Sequence, residues 1–156
     1  MIGCRSIPTT PDTRTQAEKE ADRDFAVAEL NGDYDVVDSR VDFYSNRKKG
    51  STKTIAIHAS KDVLMLKINE GREDEWNIMA SRCTGHNHKL ATGLFCKDIS
   101  SGMNFISVGK QKHSYQITSG AVITAFSPMD VKSDDYVLQI GESGNGRIHY
   151  YILKKR

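Results

Sequence analysis

The amino-acid sequence predicts a mainly β protein, an antiparallel up-and-down barrel or sandwich with one short N-terminal helix. After Gly32 the spacing of apolar residues changes from about 3.6 to about 2, which is the period of a strand with one buried face. The alternating segments that follow are separated by Gly, Asn, Asp, Ser and charged residues, which are typical of turns. Since no second helical pattern lies between them, we expect antiparallel pairing in a barrel or sandwich that hides its edges.

The N-terminal part divides into a tether and a helix. Residues 1–14 are polar and offer almost nothing to bury, so we expect a flexible tether. Residues 15–156 are expected to form a single β domain that begins with a helix over residues 15–30, and Asn31-Gly32 gives the stop signal. The helix has a thin apolar stripe at near-helical spacing, formed by Ala17, Ala21, Phe25 and Ala28.

Alternation of apolar and polar residues between turn signals predicts the strands. In chain order, they cover residues 34–38, 41–45, 54–59, 63–68, 75–82, 92–97, 104–109, 113–118, 121–126, 136–140 and 148–154. A basic stretch lies between the second and third of them, at Arg47, Lys48, Lys49 and Lys53. It is typical of a solvated hairpin tip, and a contact with lipid phosphate or with an acidic partner is the alternative.

Length and charge limit the classes of protein and partner. A chain of 156 residues corresponds to about one ordinary domain. Its 22 basic and 20 acidic side chains leave a net charge of +2, so we expect no nucleic-acid partner. No apolar run approaches the roughly 20 residues that a membrane-spanning helix needs.

Cys4 follows Ile2 and Gly3, and the signals of bacterial lipoproteins also end in a small residue followed by the cysteine that receives lipid. The stretch therefore resembles the end of such a signal, although the family has a charged start and a longer apolar stretch where only three residues precede Cys4 here. The resemblance implies a lipid anchor of several acyl chains at Cys4 and a periplasmic or outer-membrane location. The alternative is a chance Gly-Cys pair in a cytoplasmic protein.

Cys83 and Cys96 lie near the ends of two successive predicted strands, 75–82 and 92–97. If these strands form a hairpin, the two thiols come close enough for a disulfide, which an oxidising compartment favours. A second interpretation is a zinc site, because a C-x2-H-x-H-x7-C cluster offers four ligands of suitable type in Cys83, His86, His88 and Cys96. Free thiols are the third.

Few patterns in the sequence indicate catalysis. No G-x-S-x-G elbow occurs, and residues 141–147 lack the following helix of a phosphate-binding loop, so they are predicted to form a hairpin turn. The acidic run of Glu70, Glu73, Asp74 and Glu75 is interpreted as an exposed loop. We expect no catalytic residue and no cofactor; a zinc-dependent enzyme that uses His86 or His88 is the alternative.

Gly32, Asp33 and Tyr34 open the first strand directly after the helix. This arrangement resembles the start of lipocalin-type barrels, whose opening motif is G-x-W, with Tyr34 at the aromatic position. The resemblance covers about residues 25–154 and implies a central pocket for a small apolar ligand. Residues expected to contribute to this pocket are Trp76, Ile78, Phe105 and Tyr115.

Residues 101–105, Ser-Gly-Met-Asn-Phe, resemble the S-G-x-x-Y stretch of lysozyme inhibitors, with Phe in place of Tyr. From the sequence we therefore expect a non-catalytic lipoprotein of the cell envelope that binds a small apolar ligand or a protein partner. The alternative is a periplasmic protein of the inhibitor or immunity type, which acts on another protein through its loops. A cavity inside the barrel favours the apolar ligand, whereas a filled core favours the protein contact.

Overall fold

The computed structural model describes residues 11–43, 46–49, 53–69, 73–100, 103–118, 128–144 and 146–156. In these segments the chain forms one α-helix, α1 (Gln16–Leu30), and one short 3₁₀ helix, η1 (Ala80–Arg82). The strands are β1 (Gly32–Phe43), β2 (Asn46–Lys49), β3 (Thr54–Ala59), β4 (Val63–Asn69), β5 (Glu73–Met79), β6 (Cys83–Asn87), β7 (Ala91–Ser100), β8 (Met103–Gln111), β9 (Tyr115–Ile117), β10 (Met129–Val131), β11 (Tyr136–Glu142) and β12 (Ile148–Lys155). Neither helix of these segments is long and apolar enough to cross a membrane.

The main sheet is a nearly closed antiparallel barrel, which confirms the mainly β prediction. Within the described segments the strand order is β5-β4-β3-β1-β12-β11-β8-β7-β6, so that most strands pair with their neighbours in the chain. The barrel closes where β1 pairs with β12, and it remains open between β5 and β6. Outside this ring, β2 pairs with β1, and β9 pairs with β10 as a separate small sheet.

Strand β1 is long enough to pair with three other strands. Its first half pairs with β3 and its second half with β2, while β12 runs along both halves. The register with β12 shifts between Val36 and Asp38, which leaves the exposed Val37 as the extra residue of a β-bulge. The predicted strand 34–38 and the described part of the predicted strand 41–45, residues 41–43, therefore belong to one bulged strand, and residues 44–45 lie outside the described segments.

Helix α1 begins at a side-chain cap and crosses one end of the barrel from β6 towards β1. The Thr15 hydroxyl accepts a hydrogen bond from the Glu18 N–H at 3.1 Å, as an N-cap residue does. The predicted apolar stripe is wrong, since all four of its residues are exposed; Ala26 and Leu30 are buried instead. The barrel decides this face, because α1 packs mainly against β6 and β7.

Gly85 in β6 allows the backbone of α1 to approach the sheet. A Cβ atom at this position would lie 2.3 Å from the Arg23 Cα, so a larger residue would push the helix away. Arg14 strengthens the contact: its guanidinium donates to the Gly85 carbonyl at 2.8 Å and pairs with Asp22 at 2.7 Å. The last residues of the predicted tether thus contact the domain. Residues 1–10, with Cys4, lie outside the described segments.

Side chains from β1 and β12 cap the C-terminal end of α1. The hydroxyl of the buried Tyr34 donates to the Leu30 carbonyl at 2.5 Å, and the Lys155 ammonium donates to the Glu29 carbonyl at 2.7 Å. Both carbonyls belong to the last helical turn, which has no intrahelical partners for them. The Tyr34 ring also packs edge-on against Tyr136, with ring centroids 4.9 Å apart. These contacts join the helix end to the strands that close the barrel.

The Glu29 side chain ties the same helix end to β8 and β11. Its carboxylate pairs with the Lys110 ammonium at 3.0 Å and accepts a hydrogen bond from the Tyr136 hydroxyl at 3.0 Å. Burial acts to raise the pKa of Glu29, but these two partners outweigh it, so the pKa lies below the ordinary value of 4.5. Glu29 is therefore held in its charged form.

The chain buries apolar side chains in two places. The inner core fills the barrel and includes the fully buried Leu30, Tyr34, Ile57, Leu66, Ile106 and Leu138. The second core lies where the β9–β10 sheet packs on the outer side of β11 and β12, and it consists of Ile117, Met129, Val131, Val137 and Ile152. Because β11 is covered on both sides, its residues are mostly buried rather than alternately buried and exposed.

Several predicted strand limits are wrong. The predicted strand 75–82 ends at Met79, η1 follows, and Cys83 opens the separate strand β6. The acidic run, interpreted as a loop, continues into β5, and the basic stretch contributes to β2. The predicted strand 113–118 is shortened to β9, while residues 121–126 lie outside the described segments.

Candidate interaction site at the open side of the barrel

Cys83 and Cys96 form a disulfide, which confirms that prediction. The two residues are directly opposite each other in β6 and β7, with Cα atoms 4.0 Å apart. The expected partner strand is corrected, because Cys83 begins β6 instead of ending the strand before it. The bond therefore links β6, the strand at the open side of the barrel, covalently to β7.

The zinc alternative does not agree with this arrangement, because a disulfide leaves no thiolate at Cys83 or Cys96 to bind a metal. His86 and His88 remain as a pair whose ring centroids lie 5.4 Å apart. In the part of the chain that the structure describes, no three His, Cys, Asp or Glu side chains are grouped so that they could hold a metal ion. Burial, with the nearby His88 and Arg14, lowers the pKa of His86 below its ordinary value of 6.5.

The four residues expected to line a ligand pocket are not brought together. Ile78 is buried in the inner core, and Trp76, two residues before it in β5, packs partly buried against the same core. Phe105 lies on the outer face, since it alternates with the core residue Ile106, and its ring stacks on Phe95 at 6.0 Å. Tyr115 belongs to the second core. Only Trp76 and Ile78 therefore face the barrel interior.

The described part of the barrel interior is filled by its own side chains. Leu30 of α1 enters this core beside the strand residues Leu64 and Leu94. The space left between the helix and these strands measures about 10 Å³, which is roughly the room that one water needs. A small-molecule site usually needs roughly 300 Å³ or more. At this end of the barrel the described side chains therefore form a packed core.

A groove of about 920 Å³ lies outside the core, between α1 and the end of the barrel. One wall is the exposed side of the helix, and the other is formed by the β3–β4 turn and by the junction of β5 with η1. Met79, the last residue of β5, lines this groove with 66% of its surface exposed, while Val27 lines the helix wall. An exposed methionine is a common feature of binding surfaces, because its flexible thioether adapts to different partners.

The charges around the groove are mostly acidic. Its lining contains the carboxylates of Glu20, Asp24 and Asp62 and the cations of Arg23 and Lys61. Arg23 is already engaged, since its guanidinium donates to the Lys61 carbonyl at 2.9 Å and so bridges the two walls. Because this carbonyl is neutral, Arg23 keeps its charge, and the three carboxylates and two cations leave the lining with a net charge of −1.

Strand β5 forms the second feature of this side, because it is an edge of the main sheet as far as the structure describes the chain. The Ala80 N–H donates to the Asp62 carbonyl at 2.7 Å, so Ala80 and Asp62 form a hydrogen-bonded pair at the start of β4. In an antiparallel pair, hydrogen-bonded and non-bonded positions alternate. The register of β4 with β5 therefore turns the backbone N–H and C=O groups of Glu75, Asn77 and Met79 away from β4, towards the open side.

The two edges of the barrel opening are covered differently. On β6, the Gly85 carbonyl is occupied by Arg14 and the strand is covered by α1. On β5, the Met79 carbonyl lies 3.9 Å from the Cys83 sulfur, and no hydrogen bond within the described residues reaches the backbone of Glu75 or Asn77. This edge was not predicted from the sequence, since the acidic run that leads into β5 was interpreted as an exposed loop.

A polar cluster lies away from this groove, at the hairpin that joins β11 to β12. The His149 Nε2 and Glu142 carboxylate lie 2.8 Å apart, and the Arg147 Nε lies 3.5 Å from the same carboxylate. The predicted hairpin over 141–147 agrees with the Glu142 N–H donating to the Arg147 carbonyl at 2.8 Å. Nucleophilic catalysis needs a nucleophile beside such a base, and no Ser, Thr or Cys among the described residues hydrogen-bonds to His149. The cluster links the two strands electrostatically.

The fold and this surface define a class of protein: a nearly closed antiparallel β-barrel with a helix across one end and an exposed groove beside its open edge. This architecture is compatible with a lipocalin-like fold. A comparison of the chain with protein families, curated proteins and solved structures finds no match. The function is therefore argued from the site alone.

Proposed function

We propose that this chain is a non-catalytic binding protein of the bacterial cell envelope, anchored by lipid at Cys4, and that it binds another protein at the open side of its barrel. The observation that carries the proposal is the contrast between the filled barrel and the outer groove. The space between α1 and the strands beneath it has room for about one water, whereas the groove beside Met79 measures about 920 Å³.

The location rests on two independent features. Cys4 follows a small residue and precedes a polar stretch that would hold the domain away from a membrane surface. The Cys83–Cys96 disulfide favours an oxidising compartment, since cytosolic thiols are kept reduced. Intact mass spectrometry of the protein from its native host tests the anchor: we expect the mass of several acyl chains at Cys4. An unmodified Cys4 would contradict the envelope assignment.

The protein contact is tested by native purification and a pair of matched variants. Partner proteins that copurify are identified by mass spectrometry, and their affinities are then measured for the wild type, Met79→Glu and Val37→Glu. Both residues are exposed and apolar, but Val37 does not line the groove. Because residues at the centre of an interface dominate its energy, we expect Met79→Glu to weaken binding about tenfold or more and Val37→Glu to change it less than about twofold.

The same experiment separates this proposal from the apolar-ligand carrier. A carrier would copurify with a stoichiometric small apolar molecule, and its retention would depend on Trp76 rather than on Met79. That result, or equal effects of Met79→Glu and Val37→Glu on partner affinity, would refute a protein contact at the groove. Melting temperatures of both variants serve as the folding control.

A further inference from the structure

The open edge of β5 indicates how the partner is bound. We infer that β5 accepts an extended, basic segment of the partner as an additional antiparallel or parallel strand, next to the acidic groove. This inference rests on the proposed function and specifies the binding mode and the chemistry of the partner. Its basis is the set of backbone groups of Glu75, Asn77 and Met79 that face away from β4.

Strand addition satisfies backbone groups that have no hydrogen-bond partner among the described residues. An edge strand offers a row of N–H and C=O groups, and an added strand pairs with them through main-chain hydrogen bonds. β5 spans seven residues from Glu73 to Met79, which at the usual rise corresponds to about 23 Å. An extended segment of about six or seven residues fits this length. The opposite edge, β6, is not available because α1 covers it.

The charges at this edge select the partner. β5 begins with Glu73, Asp74 and Glu75, and the adjoining groove is lined by three further carboxylates and by two cations, Arg23 and Lys61. The Lys67 ammonium of β4 lies 3.8 Å from the Glu75 carboxylate, and the three consecutive acidic residues 73–75 outnumber this one cation in the sequence. A basic strand gains from the charge complementarity, whereas an acidic strand is repelled.

A second copy of this chain is a less suitable occupant. Pairing of two β5 edges would place two copies of the acidic residues 73–75 along the same seam. Like charges brought together across a sheet are destabilising. The single exposed apolar side chain on the strand, Met79, lies at its far end, beside the groove. The occupant is therefore a strand of opposite charge with an apolar residue near Met79.

The test uses a blocked hexapeptide in which lysine alternates with valine, titrated into the ¹⁵N-labelled, disulfide-bonded protein. We expect amide shifts centred on Glu75, Asn77 and Met79. N-methylation of alternate peptide amides should weaken binding about tenfold, because it removes hydrogen bonds to the edge. A peptide with glutamate in place of lysine should bind at least about tenfold more weakly at low salt.

Two protein variants at one position form the matched pair. Asn77→Pro removes an N–H that faces the open edge, and proline is tolerated on edge strands, so we expect about tenfold weaker peptide binding. Asn77→Ala keeps the N–H and should bind within about twofold of the wild type. If Asn77→Pro does not fold, the N-methylated peptide makes the same comparison on the wild-type protein.

The outcomes distinguish this inference from the proposed function. Equal binding of the methylated and unmethylated peptides, or shifts located elsewhere on the barrel, would overturn strand addition. So would a dimer of the free protein that Asn77→Pro dissociates, because a second copy would then occupy the edge. If the copurified partner depends on Met79 but not on the N–H of Asn77, strand addition fails while the protein contact at the groove stands.

Discussion

Tyr34→Phe tests how the helix is fixed to the barrel. The substitution keeps the ring, and with it the packing against Tyr136, and removes only the hydroxyl that donates to the Leu30 carbonyl at 2.5 Å. Tyr34 and Leu30 are both fully buried, so water does not replace the lost donor. Leaving a buried carbonyl without a partner costs about 1–3 kcal/mol. We expect the free energy of unfolding to fall by that amount.

The matched control is Tyr136→Phe. The hydroxyl of Tyr136 donates to the Glu29 carboxylate at 3.0 Å, but that carboxylate keeps its ion pair with Lys110 and is 28% exposed. Because water and Lys110 compensate, the expected loss is at most about 1 kcal/mol. The two variants thus remove the same chemical group from a buried and from a partly exposed partner.

The assay is equilibrium unfolding in urea, supported by thermal melting. For a domain of this size, about 1 kcal/mol corresponds to about 2–4 °C, so Tyr34→Phe should lower the melting temperature by about 3–10 °C. The urea dependence should stay unchanged, since the same surface is exposed on unfolding. A loss below about 0.5 kcal/mol for Tyr34→Phe, or equal losses for both variants, would refute the role of this hydroxyl as the helix cap.

Three further predictions concern the disulfide, the pH dependence and the tether. Replacing Cys83 and Cys96 together by Ala should lower the free energy of unfolding by about 3 kcal/mol, because the bond closes a loop with a sequence separation of 13. Urea unfolding with and without reductant should give equal free energies only for the variant. Because the pKa of His86 is lowered in the folded protein, its contribution to the free energy of unfolding is full above pH 6.5 and is lost as the pH falls through the pKa of the folded state. The lowered pKa of Glu29 predicts a second loss of stability below pH 4.5. His86→Asn and Glu29→Gln should each remove only its own part of the pH profile, measured by urea midpoints between pH 3 and 8. Deletion of residues 1–10 should leave the melting temperature unchanged, and a loss of cooperative unfolding would contradict their description as a tether.

The alternating strands were visible in the sequence alone, whereas a disulfide between Cys83 and Cys96 was one of three interpretations that only the structure decided. A two-residue period in segments such as Ile55, Ile57 and Ala59 reflects a strand with one buried face, and this relation holds wherever the strand is placed. The disulfide was among the interpretations because Cys83 and Cys96 lie near the ends of two successive predicted strands that could form a hairpin. These are local properties, so they are visible without the rest of the fold.

The buried face of the helix was decided by tertiary structure. The apolar spacing pointed to Phe25 and its neighbours, yet Phe25 is 53% exposed and Ala26 is fully buried. The barrel end accepts the helix only on the side where Gly85 allows close approach. The predicted stripe consists mostly of alanines, and its apolar area is too small to determine which face of the helix is buried. The contact of α1 with β6 determines that face instead.

The open side of the barrel also arises from tertiary structure alone. The sequence of β6 includes Gly85 and shows little alternation of apolar and polar residues. The strand forms because its pairing with β7 and the disulfide hold it in register. Whether β5 pairs with β6 or remains an edge depends on the position of η1 and on how many strands the barrel needs to close. Contacts between distant parts of the chain set these features, and the local residue pattern does not encode them. The groove beside Met79 and the free edge at Asn77 exist for this reason.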